Sequence, residues 1–211
     1  MNIFDVNNAF ITILGDKISF LEFAGTILSL FFVYFSVKEK VISWVFGFFS
    51  AIFLALLYFQ NAIYANSLLQ VYYVAMSVYG FWAWLRKKSD NSTLQISKIS
   101  TKNLLISLIS SAVCFALLYF VLDKYTDTKV PFIDAFTTAL CIVGTYLLAR
   151  KVLENWLFFI VADVVMVWLS ISQKLYLLAF LYAVYSTMGV FGYFRWKKTA
   201  VSRRKKGARF L

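Results

Sequence analysis

Long apolar runs alternate with short polar breaks along the whole chain, and the runs share one length. Seven of them, approximately 19–37, 41–59, 65–85, 103–122, 132–149, 153–172 and 175–196, are long enough to cross a bilayer as helices, which takes about 20 mainly apolar residues. The breaks are polar: Lys38–Lys40, Gln60–Asn61, the long linker Arg86–Lys98, and Asp123–Pro131. Pro131 stands just before a helix start, where a missing N–H costs little. Residues 1–18 are too short and too polar to cross, and are expected at the membrane surface as an interfacial turn of helix. The pattern predicts an all-α integral membrane protein with seven transmembrane helices.

A repeat organises these spans. Residues 22–87 lie over 134–199 at a constant shift of 112 without a gap. Trp44 falls on Trp156, Tyr73 on Tyr185, Gly80 on Gly192 and Trp84 on Trp196. Thr26 falls on Thr138, Tyr34 on Tyr146, Phe46 on Phe158, Tyr64 on Tyr176 and Met76 on Met188. Acid matches acid at Glu22 and Asp134, and base matches base at Lys38 and Arg150. Each copy holds three spans, so one further crossing, span 4, is needed to return the second copy in the first one's orientation. The expected architecture is a 3+1+3 parallel repeat like that of the SWEET carriers. Its parts are an N-terminal segment 1–18, a triple-helix bundle 19–86, a linker with helix 4 at 87–131, a second bundle 132–196 and a basic tail 197–211. Parallel repeats are a transporter plan, with the substrate near the bilayer midplane between the halves.

Charge fixes an expected orientation. The loops after spans 1, 3 and 5 and the C-terminal tail hold 17 Lys and Arg; the other side holds 4. The positive-inside rule places the N-terminus outside and the C-terminus in the cytoplasm. The net charge of +11 is thus a topology signal, with the lipid bilayer as partner and no nucleic acid. The chain contains no His, which removes imidazole relays, imidazole-activated nucleophiles and His metal sites. Cys114 and Cys141 lie in apolar runs without metal or redox spacing and read as free thiols. Neither a cofactor nor a metal is expected, and the chain does not read as an enzyme.

The polar residues inside the spans fall on stripes. Span 3 carries Gln70, Tyr73, Ser77, Gly80 and Trp84 at helical steps of three and four. Span 7 carries Tyr182, Tyr185, Gly189, Gly192 and Trp196 at the same repeat positions. The glycines read as close-contact points and the end tryptophans as markers of the membrane interface. Ser50 on span 2 and Asn155, Trp156, Phe159 and Asp163 on span 6 complete the candidate substrate-binding set with Gln70, Tyr73, Tyr182 and Tyr185.

Asp163 is the costly member: an Asp at the centre of a spanning helix disfavours insertion by roughly 2.5–3.5 kcal/mol. A carboxylate among aromatic rings suits a cation, each ring face adding about 0.5–2 kcal/mol for a desolvated charge. Proton coupling is the rival use, and a hydrogen-bonded core Asp the plain one. A retinal pigment would want a Lys deep in the last helix, whereas Lys174 stands at its edge.

Phe59-Gln-Asn-Ala-Ile-Tyr-Ala-Asn-Ser-Leu-Leu-Gln-Val-Tyr-Tyr73 with Gly80-Phe-Trp-Ala-Trp84 resembles the first-half signature of the PnuC-type vitamin transporters. Arg150-Lys-Val-Leu-Glu-Asn-Trp156, then Asp163 and Gln173-Lys-Leu-Tyr176, resembles the second. The resemblance implies facilitated uptake of nicotinamide riboside by alternating access in a bacterial inner membrane, with a cytoplasmic kinase trapping the product; a carrier of thiamine or riboflavin is one alternative, and a SWEET-like sugar carrier, whose short Pro-Gln signatures are absent here, is the other. It implies Gln70, Tyr73, Asn155, Trp156 and Asp163 as site residues. Ser at 50, where the family pattern often has Asn, leaves the vitamin open, and a homo-oligomer is compatible with the plan.

Overall fold

The structure, a computed structural model, describes residues 4, 9–13, 16–61, 64–86, 94–126 and 128–207. It contains seven helices: α1 Phe20–Val37, α2 Ile42–Gln60, α3 Tyr64–Leu85, α4 Thr101–Tyr125, α5 Pro131–Ala149, α6 Asn155–Ser172 and α7 Tyr176–Gly207. All seven are long and apolar enough to span a membrane. α7 runs on into the basic tail, because nothing after Trp196 breaks a helix until Gly207. The chain divides into two compact units, residues 1–85 and 86–211.

In the first unit α2 packs against both α1 and α3. Ahead of them stand two short antiparallel strands, β1 Ala9–Ile13 and β2 Asp16–Ser19. This corrects the expected turn of helix. Ile11, Thr12, Ile13 and Ile18 are β-branched, and such side chains favour an extended backbone. Phe10 sets its ring 5.4 Å from Phe20 and 5.5 Å from Phe23, which ties the strand pair to the start of α1. Ser19 ends β2 and caps α1, its hydroxyl accepting the Glu22 N–H at 3.3 Å. With Glu three residues on, this is the capping-box pattern.

In the second unit α5 packs on α4 and α6, and α6 also on α7. Flanked on both sides, α5 is the most buried of its helices, whereas α4 keeps Leu105, Ile106, Ile109, Val113 and Leu117 exposed. Such apolar outer surface is what a lipid solvent demands. The linker ahead of α4 is built into this unit. The Ser97 N–H donates to the Lys151 carbonyl at 3.0 Å, and the Leu153 N–H donates to the Ser97 carbonyl at 2.9 Å. The Ile99 N–H donates to the Glu154 carboxylate at 2.9 Å.

Three helix ends turn through a left-handed residue that is not glycine: Glu39, Lys151 and Lys174, with φ of 57°, 51° and 62°. At each, the next N–H reaches back to a carbonyl five residues earlier: Lys40 to Phe35, Val152 to Leu147, Leu175 to Ser170. That bond satisfies a carbonyl the helix end would otherwise leave unpaired. Glu39 and Lys151 are 112 residues apart.

Candidate functional site

The stripe residues are placed by two matching contacts. In the first unit the Trp44 indole lies on Gly80, so close that a Cβ there would come 2.3 Å from the ring. Trp84 meets Trp44 edge-on, with centroids 5.6 Å apart. In the second unit Trp156 lies on Gly192, where a Cβ would come within 2.6 Å, and Trp196 meets Trp156 edge-on at 5.5 Å. All four tryptophans are at most 2% exposed. Trp84 and Trp196 are therefore internal wedges and not the interface markers that their place at the helix ends suggested. The same device recurs at positions 112 apart.

These contacts set the register of the helices around Asp163. Trp156 stands on Gly192 and Ile160 on Gly189, so one turn further along antiparallel α6 and α7 Asp163 comes level with Tyr185. Tyr185 meets Tyr182 edge-on at 6.4 Å. On the other flank Phe158 and Phe159 lie over Gly144 of α5, and Cys141, nearly a turn away, is within electrostatic range of Asp163. Asp163 is half-buried and makes no hydrogen bond or ion pair among the described residues. Asn155, Trp156, Phe159 and Asp163 follow one face of α6, with Asp163 about 12 Å beyond Asn155 at ~1.5 Å per residue. Asn155 is fully buried and donates to the Val152 carbonyl, while its Oδ1 has no partner among the described residues.

In the first unit Gln70, Ser77, Gly80 and Trp84 are buried and Tyr73 half-buried, so the stripe of α3 faces inward. Ser77 Oγ would be 3.2 Å from a Cβ on Gly47, and Ser67 donates to the Ala55 carbonyl at 3.0 Å. This register puts Tyr73 level with Ser50. The Ser50 hydroxyl is occupied in a helix contact, donating to the Gly25 carbonyl at 2.8 Å. Ser50→Ala should therefore lower stability by about 0.5–1.5 kcal/mol and leave ligand affinity nearly unchanged, as a thermal melt beside a calorimetric titration would read. A loss of affinity larger than the loss of stability would return Ser50 to the binding set.

No group of three His, Cys, Asp or Glu that could hold a metal occurs among the described residues. Lys and Arg are confined to the ends of the spans: none occurs in 18–37, 42–85, 103–123, 131–149, 152–173 or 175–194, while Lys102, Lys124 and Arg195 stand at those ends. At mid-span depth the polar side chains among the described residues are the Asp163 carboxylate, amides, hydroxyls and aromatic rings. That inventory suits a flat, positively charged or neutral solute. It does not suit an anion.

The profile of the Nicotinamide mononucleotide transporter family matches residues 19–198. The chain belongs to this family. Two curated members, the nicotinamide riboside transporters PnuC of Escherichia coli K12 and Shigella flexneri, are each 27% identical to it over 240 aligned residues, covering 100% of this chain and 99% of theirs. PnuC of Neisseria mucosa is 22% identical over 85% of this chain and 73% of its own length. A crystal structure of the vitamin B3 transporter PnuC shares the fold with a TM-score of 0.69 at 21% identity, over 86% of this chain and 82% of that one. The protein is thus a multi-pass membrane transporter of the PnuC type.

Sequence reasoning missed the use of the tryptophans as wedges and the anchoring role of Glu154. The first was signalled by Trp–Gly pairs recurring at one shift. The second had no signal, since the partner is a backbone N–H 55 residues away.

Proposed function

We propose that this chain carries nicotinamide riboside across the bacterial inner membrane by facilitated alternating access, and that a cytoplasmic kinase traps it by phosphorylation. The observation that carries this reading is Asp163: a mid-span carboxylate with no described partner, level with Tyr185 and one helix face along from Phe159 and Trp156. A pyridinium ring supplies the missing charge to the carboxylate and a flat face to the rings. The family's name refers to the mononucleotide, its members' names to the riboside. The absence of Lys and Arg from the middle of the spans favours the riboside, because a phosphate group beside Asp163 would meet like charge with no counter-charge at that depth. Phosphorylation inside the cell would then make the product an anion that the same path rejects.

The remaining residues we assign to binding are Asn155, Trp156, Phe159, Tyr182 and Tyr185 within the second unit, and Gln70 and Tyr73 within the first; Ser50 is left to its helix contact with Gly25. The excess of basic residues after spans 1, 3, 5 and 7 supports an outer N-terminus and a cytoplasmic tail.

In proteoliposomes, labelled nicotinamide riboside should equilibrate without any ion gradient. It should accumulate only when a riboside kinase and ATP are enclosed. A strict requirement for a proton gradient would overturn the uncoupled mechanism, and transport of thiamine in preference to the riboside would reassign the vitamin.

A further inference from the structure

The turns that join α1 to α2 and α5 to α6 close in the same way, yet a segment of the linker is laid only on the second. Glu39 and Lys151 take the left-handed conformation. The Lys40 N–H donates to the Phe35 carbonyl and the Ser43 N–H to the Lys40 carbonyl; 112 residues on, Val152 donates to Leu147 and Asn155 to Val152. The first turn makes these bonds with no backbone bond to any outside segment among the described residues. The turn therefore folds without help, and the segment attached to the second copy serves another purpose.

Residues 96–99 lie along this turn, with Ser97 paired in parallel beside Val152. Ser97 uses both backbone groups, its N–H donating to Lys151 and its carbonyl accepting from Leu153. Ile96 is buried, and Ile99 packs against the core of Val143, Leu147 and Phe158. The Ile99 N–H donates to the Glu154 carboxylate at 2.9 Å, and a carboxylate is a stronger acceptor than a peptide carbonyl. At the shift of 112, position 154 falls on Ile42. The acid thus stands only in the half that receives the linker, at the point where the linker arrives. One residue beyond Ile99, Ser100 caps α4 by accepting the Asn103 N–H. Among the described helices α4 packs on α5 alone, so these bonds secure the start of a helix otherwise held on one side.

We propose that residues 96–99 and Glu154 form a clip that stays closed through the transport cycle, so that α4 and the linker from Ile96 onward move as one body with the second unit. The motion itself rests on the alternating-access reading; the clip's geometry stands without it. A carrier that alternates rocks one half against the other, and a pull travelling along the chain toward α4 must pass residues 96–99 first. A closed clip hands that pull to the α5–α6 turn and spares the first turn of α4.

The test uses the full chain in proteoliposomes with Cys114→Ser and Cys141→Ser, to which Ser97→Cys and Val152→Cys are added. Paired strands lie about 4.8 Å apart, within reach of a disulfide. The bond should form on mild oxidation, and the oxidised carrier should take up nicotinamide riboside at the reduced carrier's rate. Glu154→Ala should slow uptake severalfold at unchanged affinity, Glu154→Gln, which keeps an acceptor oxygen, should stay near the parent, and the disulfide should restore the rate of Glu154→Ala. A disulfide that does not form, a tenfold fall on oxidation that reduction reverses, or a Glu154→Ala variant that is as fast as the parent or is not rescued would overturn the clip. Hydrogen exchange at the Ile99 and Leu153 amides reads the clip without transport: both should stay protected with and without the riboside, and loss of protection in either condition would overturn it. A parent carrier that shows no counterflow of labelled against unlabelled riboside would remove alternating access, with the amide exchange still deciding the clip.

Discussion

Asp163→Asn is expected to weaken binding of nicotinamide riboside by roughly ten- to a hundredfold, equivalent to about 1.4–2.7 kcal/mol. The substitution keeps size and hydrogen-bonding capacity and removes only the charge. The predicted loss is therefore selective by ligand. Thiamine, a cation, should lose affinity alongside the riboside, whereas the uncharged flavin of riboflavin should be nearly indifferent. Asp163 sits in a half-buried, largely apolar setting, with no described ion pair to fall back on, so the cation and the carboxylate are each other's only compensation. Isothermal titration of the purified protein and the variant against all three vitamins gives the comparison. Equal losses for charged and neutral ligands would reduce Asp163 to a packing residue.

Gly192→Ala should destabilise the second unit by roughly 1–3 kcal/mol, the usual range for overpacking. The added Cβ would come within 2.6 Å of Trp156, and the ring has nowhere to go because Trp196 blocks it edge-on. In detergent the melting temperature should fall by several degrees. Gly80→Ala should do the same to the first unit through Trp44. A smaller ring relieves the clash, so Gly192→Ala combined with Trp156→Phe should recover part of the loss. No recovery, or no initial loss, would show that these indoles yield freely. The pair also separates packing from binding at Trp156: affinity that falls in Trp156→Phe while stability holds would identify direct contact with substrate.

Much of this was legible from residue order because a bilayer imposes a crude rule on sequence. Helix ends at 37, 60, 85, 149 and 172 lie within a residue of where the apolar runs stop, since a polar break cannot be carried into lipid without cost. The inward stripe of Gln70, Ser77 and Gly80 was visible for the same reason, whereas Trp84 read as an interface marker and is buried. The strand pair Ala9–Ile13 and Asp16–Ser19 was not visible, because a short segment outside the spans is governed by local β-branched residues and by docking on Phe20 and Phe23. Nor were the left-handed turns at Glu39, Lys151 and Lys174, where glycine would have been the signal and other residues stand.

The fit of each indole onto its glycine has an evolutionary side. Neither position can drift alone: a side chain gained at 192 asks for a smaller ring at 156, and the same holds for 80 and 44. Each Trp–Gly pair should therefore behave as a single inherited unit, with departures at one site accompanied by departures at the other. Since the two halves carry the pair separately, one half is free to lose it while the other retains it. Among relatives, substitutions should accordingly be correlated within each pair and independent between the pairs.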